Sequence, residues 1–155
     1  MKKKVLVFGL GQSCRNQPDI AVRVIEYLRN RSNDNNLELI DSTSCKKNLA
    51  ECIESAEQMI VIDINSDKIN PGAVKVYEGF EMDAFIRHRQ TRDSQNTALR
   101  DAMKNATLKG KLPSHRALVG IDAIQSAQDS AEPENNTAVI RACQKIFEIT
   151  ECWKI

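Results

Sequence analysis

Apolar and polar positions follow one another along the chain in a pattern that predicts strands and helices in turn. The first apolar run, residues 5–8, is short and contains β-branched side chains, as is typical of a strand buried on both faces of a parallel sheet. A glycine-containing turn and a polar loop follow, and apolar residues then recur at helical spacing over residues 20–28. The loop between this strand and this helix therefore lies where open α/β sheets bind ligands, outside the carboxyl end of a strand.

The same alternation continues through the chain and predicts a three-layer fold. Further strands are predicted at residues 37–40, 59–64, 74–77 and 116–121. The fourth strand of the chain, residues 74–77, has an alternating pattern typical of a more exposed strand, and it could be antiparallel to its neighbour. Further helices are predicted around residues 49–56, 94–106 and 137–150, with residues 87–93 and 125–136 as polar loops. We expect a single domain over residues 1–155, an α/β/α sandwich with a mostly parallel sheet of about five strands.

Composition narrows the class of protein. The chain has 155 residues with 22 basic and 21 acidic side chains, a balance that gives no support to nucleic-acid binding, and no apolar stretch long enough to cross a membrane. Its five cysteines are odd in number and form no C-x-x-C pair, which argues against a disulfide framework and a structural zinc site. We therefore expect a cytoplasmic protein.

Acidic residues at the ends of predicted strands are the first candidates for chemistry. Asp63 ends the apolar third strand, Asp41 ends the second, and Asp19 lies on the first loop. Carboxylates that share one cleft can ligate a divalent metal or act as general acid and base. Such acids also cap loops at the rims of many sheets, so this pattern leaves both interpretations open.

Other residues offer weaker alternatives. The segment Gly9-Leu10-Gly11 is either a tight turn that lets the helix pack near the strand or part of a dinucleotide fingerprint, which would need a third glycine where Cys14 stands. Cys14 is a candidate nucleophile with little in its surroundings to activate it. His88 lies in a predicted basic loop from which it could reach a cleft, whereas His115 is expected at the surface.

In their order and spacing, several segments resemble the motifs of the hydrogenase maturation proteases. VLVFGLGQ resembles the family's opening strand with its G-x-G-N, IAVRVIEYL its first helix, LELID its second strand and MIVIDI its third strand with a terminal acid. INPGAVKVY resembles its N-P-G and next strand, and ALVGIDA its late L-V-G-I strand. The resemblance implies a small α/β/α protein that trims the C-terminal tail of a nickel-loaded hydrogenase large subunit, its protein partner, and that stores no cofactor itself.

The resemblance also implies a nickel-recognition site, which this sequence matches in part. In the family an acid in the first loop, the acid ending the third strand and a histidine before the third helix bind nickel. Asp63 matches the second of these positions. The first falls on Pro18, which has no ligand atom, with Asp19 beside it. The histidine position falls on Gln95, and a neutral amide is a poorer nickel ligand than imidazole.

The resemblance therefore implies Asp63 as a metal-contacting residue, with Asp19, Gln95 and His88 as candidates to complete the site. Gln12, which stands at the asparagine of the family's G-x-G-N, and Asp41 are candidates for substrate binding. Three hypotheses follow: a working maturation peptidase, a catalytically silent relative that binds a hydrogenase subunit or accessory protein, and a small α/β enzyme or nucleotide binder that shares only the topology.

Overall fold

The computed structural model describes residues 5–10, 20–31, 37–41, 49–65, 72–88, 94–122 and 133–154. In chain order the elements are β1 (Val5–Leu10), α1 (Ile20–Arg31), β2 (Leu37–Asp41), α2 (Leu49–Ser55), β3 (Gln58–Asn65), β4 (Val74–Glu78), α3 (Phe80–His88), α4 (Ser94–Leu108), β5 (His115–Asp122) and α5 (Pro133–Trp153). Their alternation confirms the predicted α/β class. None of the helices in these ranges is long and apolar enough to cross a membrane.

The strands form one sheet in the order β2-β1-β3-β5-β4. The pairings of β1 with β2, β1 with β3, and β3 with β5 are parallel, whereas β4 runs antiparallel to β5. The predicted mostly parallel sheet is thus confirmed, including the antiparallel arrangement left open for the fourth strand. Because β3 is central, its carboxyl end is flanked by β1 on one side and β5 on the other.

Apolar side chains cover both faces of the sheet, which makes the fold three-layered. Along β3, Ile60 and Ile62 pack into a cluster with α1 and α5, whereas Met59 and Val61 pack into a second cluster with α2, α3 and α4. Successive residues of a strand point to opposite faces, so an uninterrupted apolar run requires helices on both sides. Cys143 is buried in the first cluster and Cys52 in the second.

Gly9 allows α1 to approach β1 closely. A Cβ atom built on Gly9 would lie 3.3 Å from the Cβ of Ala21 and 3.6 Å from Cγ1 of Ile25, both in α1. A larger residue would push the helix away from the sheet. The interpretation of Gly9 as a packing residue is therefore confirmed, although it lies within the strand rather than in a turn.

The expectation that residues 87–93 are all loop was wrong at its start. Arg87 and His88 form the last turn of α3, which begins after Gly79, a residue with a φ of 59°. Acidic side chains occupy the first turn of this helix and these two basic side chains occupy its last turn. That distribution complements the helix dipole and explains why a cluster of charges is helical. His88 is exposed at the end of a helix and does not lie in a loop.

The last helix begins earlier than expected. Part of the predicted loop, from Pro133 onward, belongs to α5, because proline is well suited to the first position of a helix, where its missing N–H is not needed. Ile140, an apolar residue of this helix, is 43% exposed. His115 is the first residue of β5 and is half-buried, its ring 5.5 Å from that of Trp153, so its expected surface position was only partly right.

Candidate functional site

The carboxyl edge of the parallel strands brings Asp63 to the centre of the sheet. Asp63 pairs in register with Leu10 of β1 and with Gly120 of β5, and only 3% of its surface is exposed. The third strand was predicted to run to residue 64, and β3 continues to Asn65 because β5 extends alongside it. Asp63 therefore lies within the sheet, on its central strand.

Strand alternation fixes the face on which Asp63 lies. It is two and four residues beyond Val61 and Met59, which both pack under α2, α3 and α4, so Asp63 lies on the same face. A buried carboxylate is costly unless other groups compensate its charge. Asp63 does have an interaction partner in the structure. Such a buried, supported carboxylate is suited to a fixed role in binding.

A second acidic residue lies at the same edge and on the same face. Asp122 ends β5 opposite Asn65 of β3, and it is 8% exposed. Hydrogen bonds to the two residues that precede β4 fix its backbone. Its N–H donates to Ala73 O at 2.9 Å, and its carbonyl accepts from Gly72 N–H at 2.7 Å. Because β3 and β5 are adjacent, one inter-strand spacing of about 4.8 Å and the rise of two residues separate the two positions, so the Cα of Asp122 lies roughly 8 Å from that of Asp63.

Sequence reasoning missed Asp122, although a signal was present. Like Asp63, it follows an apolar run that forms a central strand, ALVGID against MIVID. The resemblance had drawn attention to the L-V-G-I motif rather than to the acid after it. The two acids lie near each other because β3 and β5 are neighbours in the sheet and pair in parallel, and neither fact can be read from the sequence.

Gln95 lies on the same side of the sheet as Asp63 and toward the same edge. It is in the first turn of α4, which packs over the face that carries Val61. A short connector with Gly110 at a φ of 68° leads from the end of α4 into the amino end of β5. The 15 residues of α4 span about 22 Å, so its first turn lies toward the carboxyl edge.

The remaining predicted residues are more dispersed or lie outside the described residues. Asp41 ends β2 opposite Gly9, and β1 separates it from β3. His88 is exposed at the end of α3. Gln12 and Asp19, like Cys14 and Pro18, lie outside the described residues, so the structure does not test them. Among the residues it does describe, no group of three or more His, Cys, Asp or Glu could hold a metal ion.

The described part of this edge therefore offers two carboxylates, Asp63 and Asp122, on one face of two adjacent strands. Two carboxylates can supply part of a coordination shell, and the remaining ligands must come from elsewhere.

Comparison with known proteins gives this edge a context. A sequence profile described as "Hydrogenase maturation protease" matches residues 22–151. The hydrogenase expression/formation protein HupD of Thiocapsa roseopersicina is 24% identical over 123 residues, which are 79% of this chain and 55% of that protein. HupD of Bradyrhizobium diazoefficiens is 25% identical over 118 residues, 76% of this chain and 61% of its own length. The chain thus spans somewhat more than half of each curated relative.

Solved structures share the fold. The hydrogenase maturating endopeptidase HybD from E. coli superposes with a TM-score of 0.76 and 21% identity, covering 94% of this chain and 90% of its own. The hydrogenase maturation protease HybD from Thermococcus kodakarensis has a TM-score of 0.70 and 20% identity, with coverage of 95% and 99%. Because the profile match extends over most of the chain, this protein belongs to the hydrogenase maturation protease family.

Proposed function

We propose that this protein is a maturation endopeptidase that removes the C-terminal peptide of a nickel-loaded hydrogenase large subunit. The observation that carries the proposal is Asp63, a carboxylate 3% exposed on the central strand, at the position that the family resemblance assigns to a nickel contact. Family membership excludes the third hypothesis, a protein that shares only the topology.

The metal in this proposal belongs to the substrate. The carboxylate of Asp63 contacts the nickel of the precursor, and Asp122, on the same face, is placed to contribute a second negative charge. Asp19, Gln95 and His88 remain candidates to complete the contact, and Gln12 and Asp41 remain candidates to bind the peptide. A water molecule polarised by the metal attacks the scissile carbonyl, the C–N bond breaks, and the new amine takes up a proton.

The second candidate function is that of a catalytically silent relative that binds a hydrogenase subunit or accessory protein. Pro18 and Gln95 stand at two of the three expected ligand positions, which favours this alternative. The two functions differ in their dependence on Asp63. A peptidase loses cleavage when the carboxylate is removed, whereas a silent binder keeps its partner.

The deciding experiment is cleavage of a purified nickel-loaded large-subunit precursor, followed by intact-mass spectrometry. We expect the wild type to release the C-terminal peptide and Asp63→Asn to leave the precursor uncut. Asp101→Asn is the matched control, because Asp101 is exposed on α4. Uncut precursor that still co-purifies with both the wild type and Asp63→Asn would instead establish the silent binder.

We further propose that the protein works in the cytoplasm. The described cysteines, Cys52, Cys143 and Cys152, are free thiols. Free thiols persist in a reducing compartment, in agreement with the cysteine spacing of the sequence.

A further inference from the structure

A groove lies between α3 and α4. It has a volume of about 650 Å³. Its apolar lining includes Phe80 and Ile86 of α3, Met103 and Leu108 of α4, and Leu112 beyond it. We call this feature the α3–α4 groove. Its described lining includes neither Asp63 nor Asp122, the two carboxylates of the candidate site.

Two apolar side chains stand out of the protein beside this groove. Phe80 is 86% exposed and Leu108 is 76% exposed, the two highest values among the large apolar side chains that the structure describes. Exposed apolar side chains grouped around a concave surface are typical of interaction sites, whereas single scattered ones are common everywhere.

Both side chains are carried by well-fixed backbone. Phe80 follows Gly79, whose N–H donates to Arg116 O at 2.9 Å, and the Arg116 guanidinium lies 5.7 Å from the centre of the Phe80 ring. Leu108 ends α4, where the N–H of Lys111 donates to Ala106 O at 2.8 Å and closes the helix. Their exposure is therefore a property of the fold.

The charged lining of the groove is mostly basic. Arg87, Arg100 and Lys104 contribute three positive charges, and Asp83 is the acidic residue in the described lining. The Asp83 carboxylate is already engaged by Arg116. Arg87 and Lys104 are exposed, and in the part of the chain that the structure describes neither is in an ion pair. The groove thus presents positive charge around an apolar floor.

We propose that the α3–α4 groove binds an acidic amphipathic helical segment of a partner protein. Apolar side chains of that segment contact Phe80 and Leu108, and its carboxylates contact Arg87 and Lys104. Amphipathic helices commonly bind with their apolar face in an apolar groove. Complementary charges at the edges of the groove contribute to the selection of the partner. A second copy of this chain fits poorly, because a two-fold interface would set one basic rim against the other.

This inference is independent of the proposed function, because Phe80, Arg87, Lys104 and Leu108 are not among the residues proposed to contact the metal or the peptide. The test uses a fluorescein-labelled synthetic peptide of about four helical turns, with leucine along one face and glutamate beside it. The matched peptide has glutamine in place of every glutamate. Binding to the full chain is measured by fluorescence anisotropy at low and at high salt.

We expect Phe80→Ala and Arg87→Glu each to raise the dissociation constant of the glutamate peptide by roughly tenfold, the first by removing an apolar anchor and the second by reversing a rim charge. Arg29→Glu is the matched control, because Arg29 is likewise an exposed arginine in the last turn of a helix, on the opposite side of the sheet. The glutamine peptide should bind more weakly, and added salt should reduce the difference between the two peptides.

Three results would overturn the proposal. They are no binding of the glutamate peptide to the wild type, equal binding of both peptides, and self-association of the chain in analytical ultracentrifugation that Phe80→Ala abolishes. The last would assign the groove to a second copy. Lys104→Glu provides an independent variant, with the same expected direction as Arg87→Glu.

Discussion

Arg116 and Asp83 join the start of β5 to the first turn of α3 through a two-point ion pair. Nε of Arg116 donates to Oδ1 of Asp83 at 2.9 Å, and a terminal nitrogen contacts Oδ2. The same guanidinium donates to the carbonyl of Pro113 at 3.1 Å. The hydrogen bond to Asp83 is the main cause that raises the pKa of Arg116, while burial acts in the opposite direction. This pair fixes one wall of the α3–α4 groove.

Removing Asp83 should therefore destabilise the fold. The Arg116 side chain is 10% exposed and that of Asp83 is 24% exposed, so Asp83→Ala leaves a positive charge largely out of water with one fewer partner. We expect a loss of roughly 1–3 kcal/mol in the free energy of unfolding, below the range for fully buried pairs because Asp83 is partly solvated. Urea denaturation followed by circular dichroism measures it.

Glu81→Ala is the matched control for this prediction, because Glu81 is an exposed acid in the first turn of the same helix. The double variant Asp83→Ala with Arg116→Met should be less destabilised than the sum of the single variants, since each single variant leaves one charge without its partner and the double variant leaves none. Equal losses in Asp83→Ala and Glu81→Ala would show that only the helix dipole, and not the ion pair, had been affected.

Cys143 should lower the free energy of unfolding at alkaline pH. Burial raises the pKa of its thiol from 9.0 to about 12, with nearby Arg31 acting in the opposite direction. The folded protein then keeps its proton where the unfolded chain loses it, so stability is full below about pH 9 and falls as the pH rises from there toward about 12. Between pH 8 and pH 10 the expected loss is roughly 1 kcal/mol.

Denaturation curves at pH 8 and pH 10 test this expectation. Cys143→Ala should show a smaller loss between the two pH values than the wild type, whatever its stability at pH 8. Cys152→Ala should behave as the wild type, because Cys152 is exposed. If the loss is the same in all three proteins, the thiol of Cys143 is not its origin.

Hydrophobic pattern alone predicted most of the fold, and its errors have physical causes. Runs such as Met59 to Ile62 are apolar at every position, so they indicate a strand covered on both faces. The errors fell where helices carry polar residues. Residues 87 and 88 fell in a predicted polar loop, although basic residues suit a helix C-terminus, and Pro133 fell in another although it starts α5.

The candidate site was less accessible to sequence reasoning because it depends on which strands are neighbours. Asp63 could be found from its place after an apolar run. Asp122 has the same kind of place, but its relation to Asp63 requires the order β3-β5 and a parallel register. Asp41 also follows an apolar run at the end of a strand, yet β1 separates its strand from β3. Chain position alone does not distinguish these two acids.

Gly9 should tolerate no side chain larger than that of alanine without loss of stability. A Cβ would meet the Cβ of Ala21 at 3.3 Å, so Gly9→Ala requires a small shift of α1, and Gly9→Val should cost roughly 1–3 kcal/mol by overpacking. Gly120→Ala is the control, because its Cβ would have ordinary contacts at 3.7 Å and 3.8 Å. Thermal unfolding measures both. Equal destabilisation by Gly9→Val and Gly120→Ala would contradict the close approach of α1.

Asp63 and Asp122 should contribute jointly to nickel recognition. Two carboxylates on one face of adjacent strands provide negative charge for a divalent ion, so we expect Asp63→Asn and Asp122→Asn each to weaken binding of the nickel-loaded precursor by roughly tenfold or more. Isothermal titration calorimetry of the full chain with that precursor measures it, with Asp101→Asn as the exposed control. The asparagine variants keep the shape of the side chain, and circular dichroism verifies that they fold. If Asp63→Asn weakens binding while Asp122→Asn does not, the metal contact belongs to β3 alone, and the shared role of β5 is wrong.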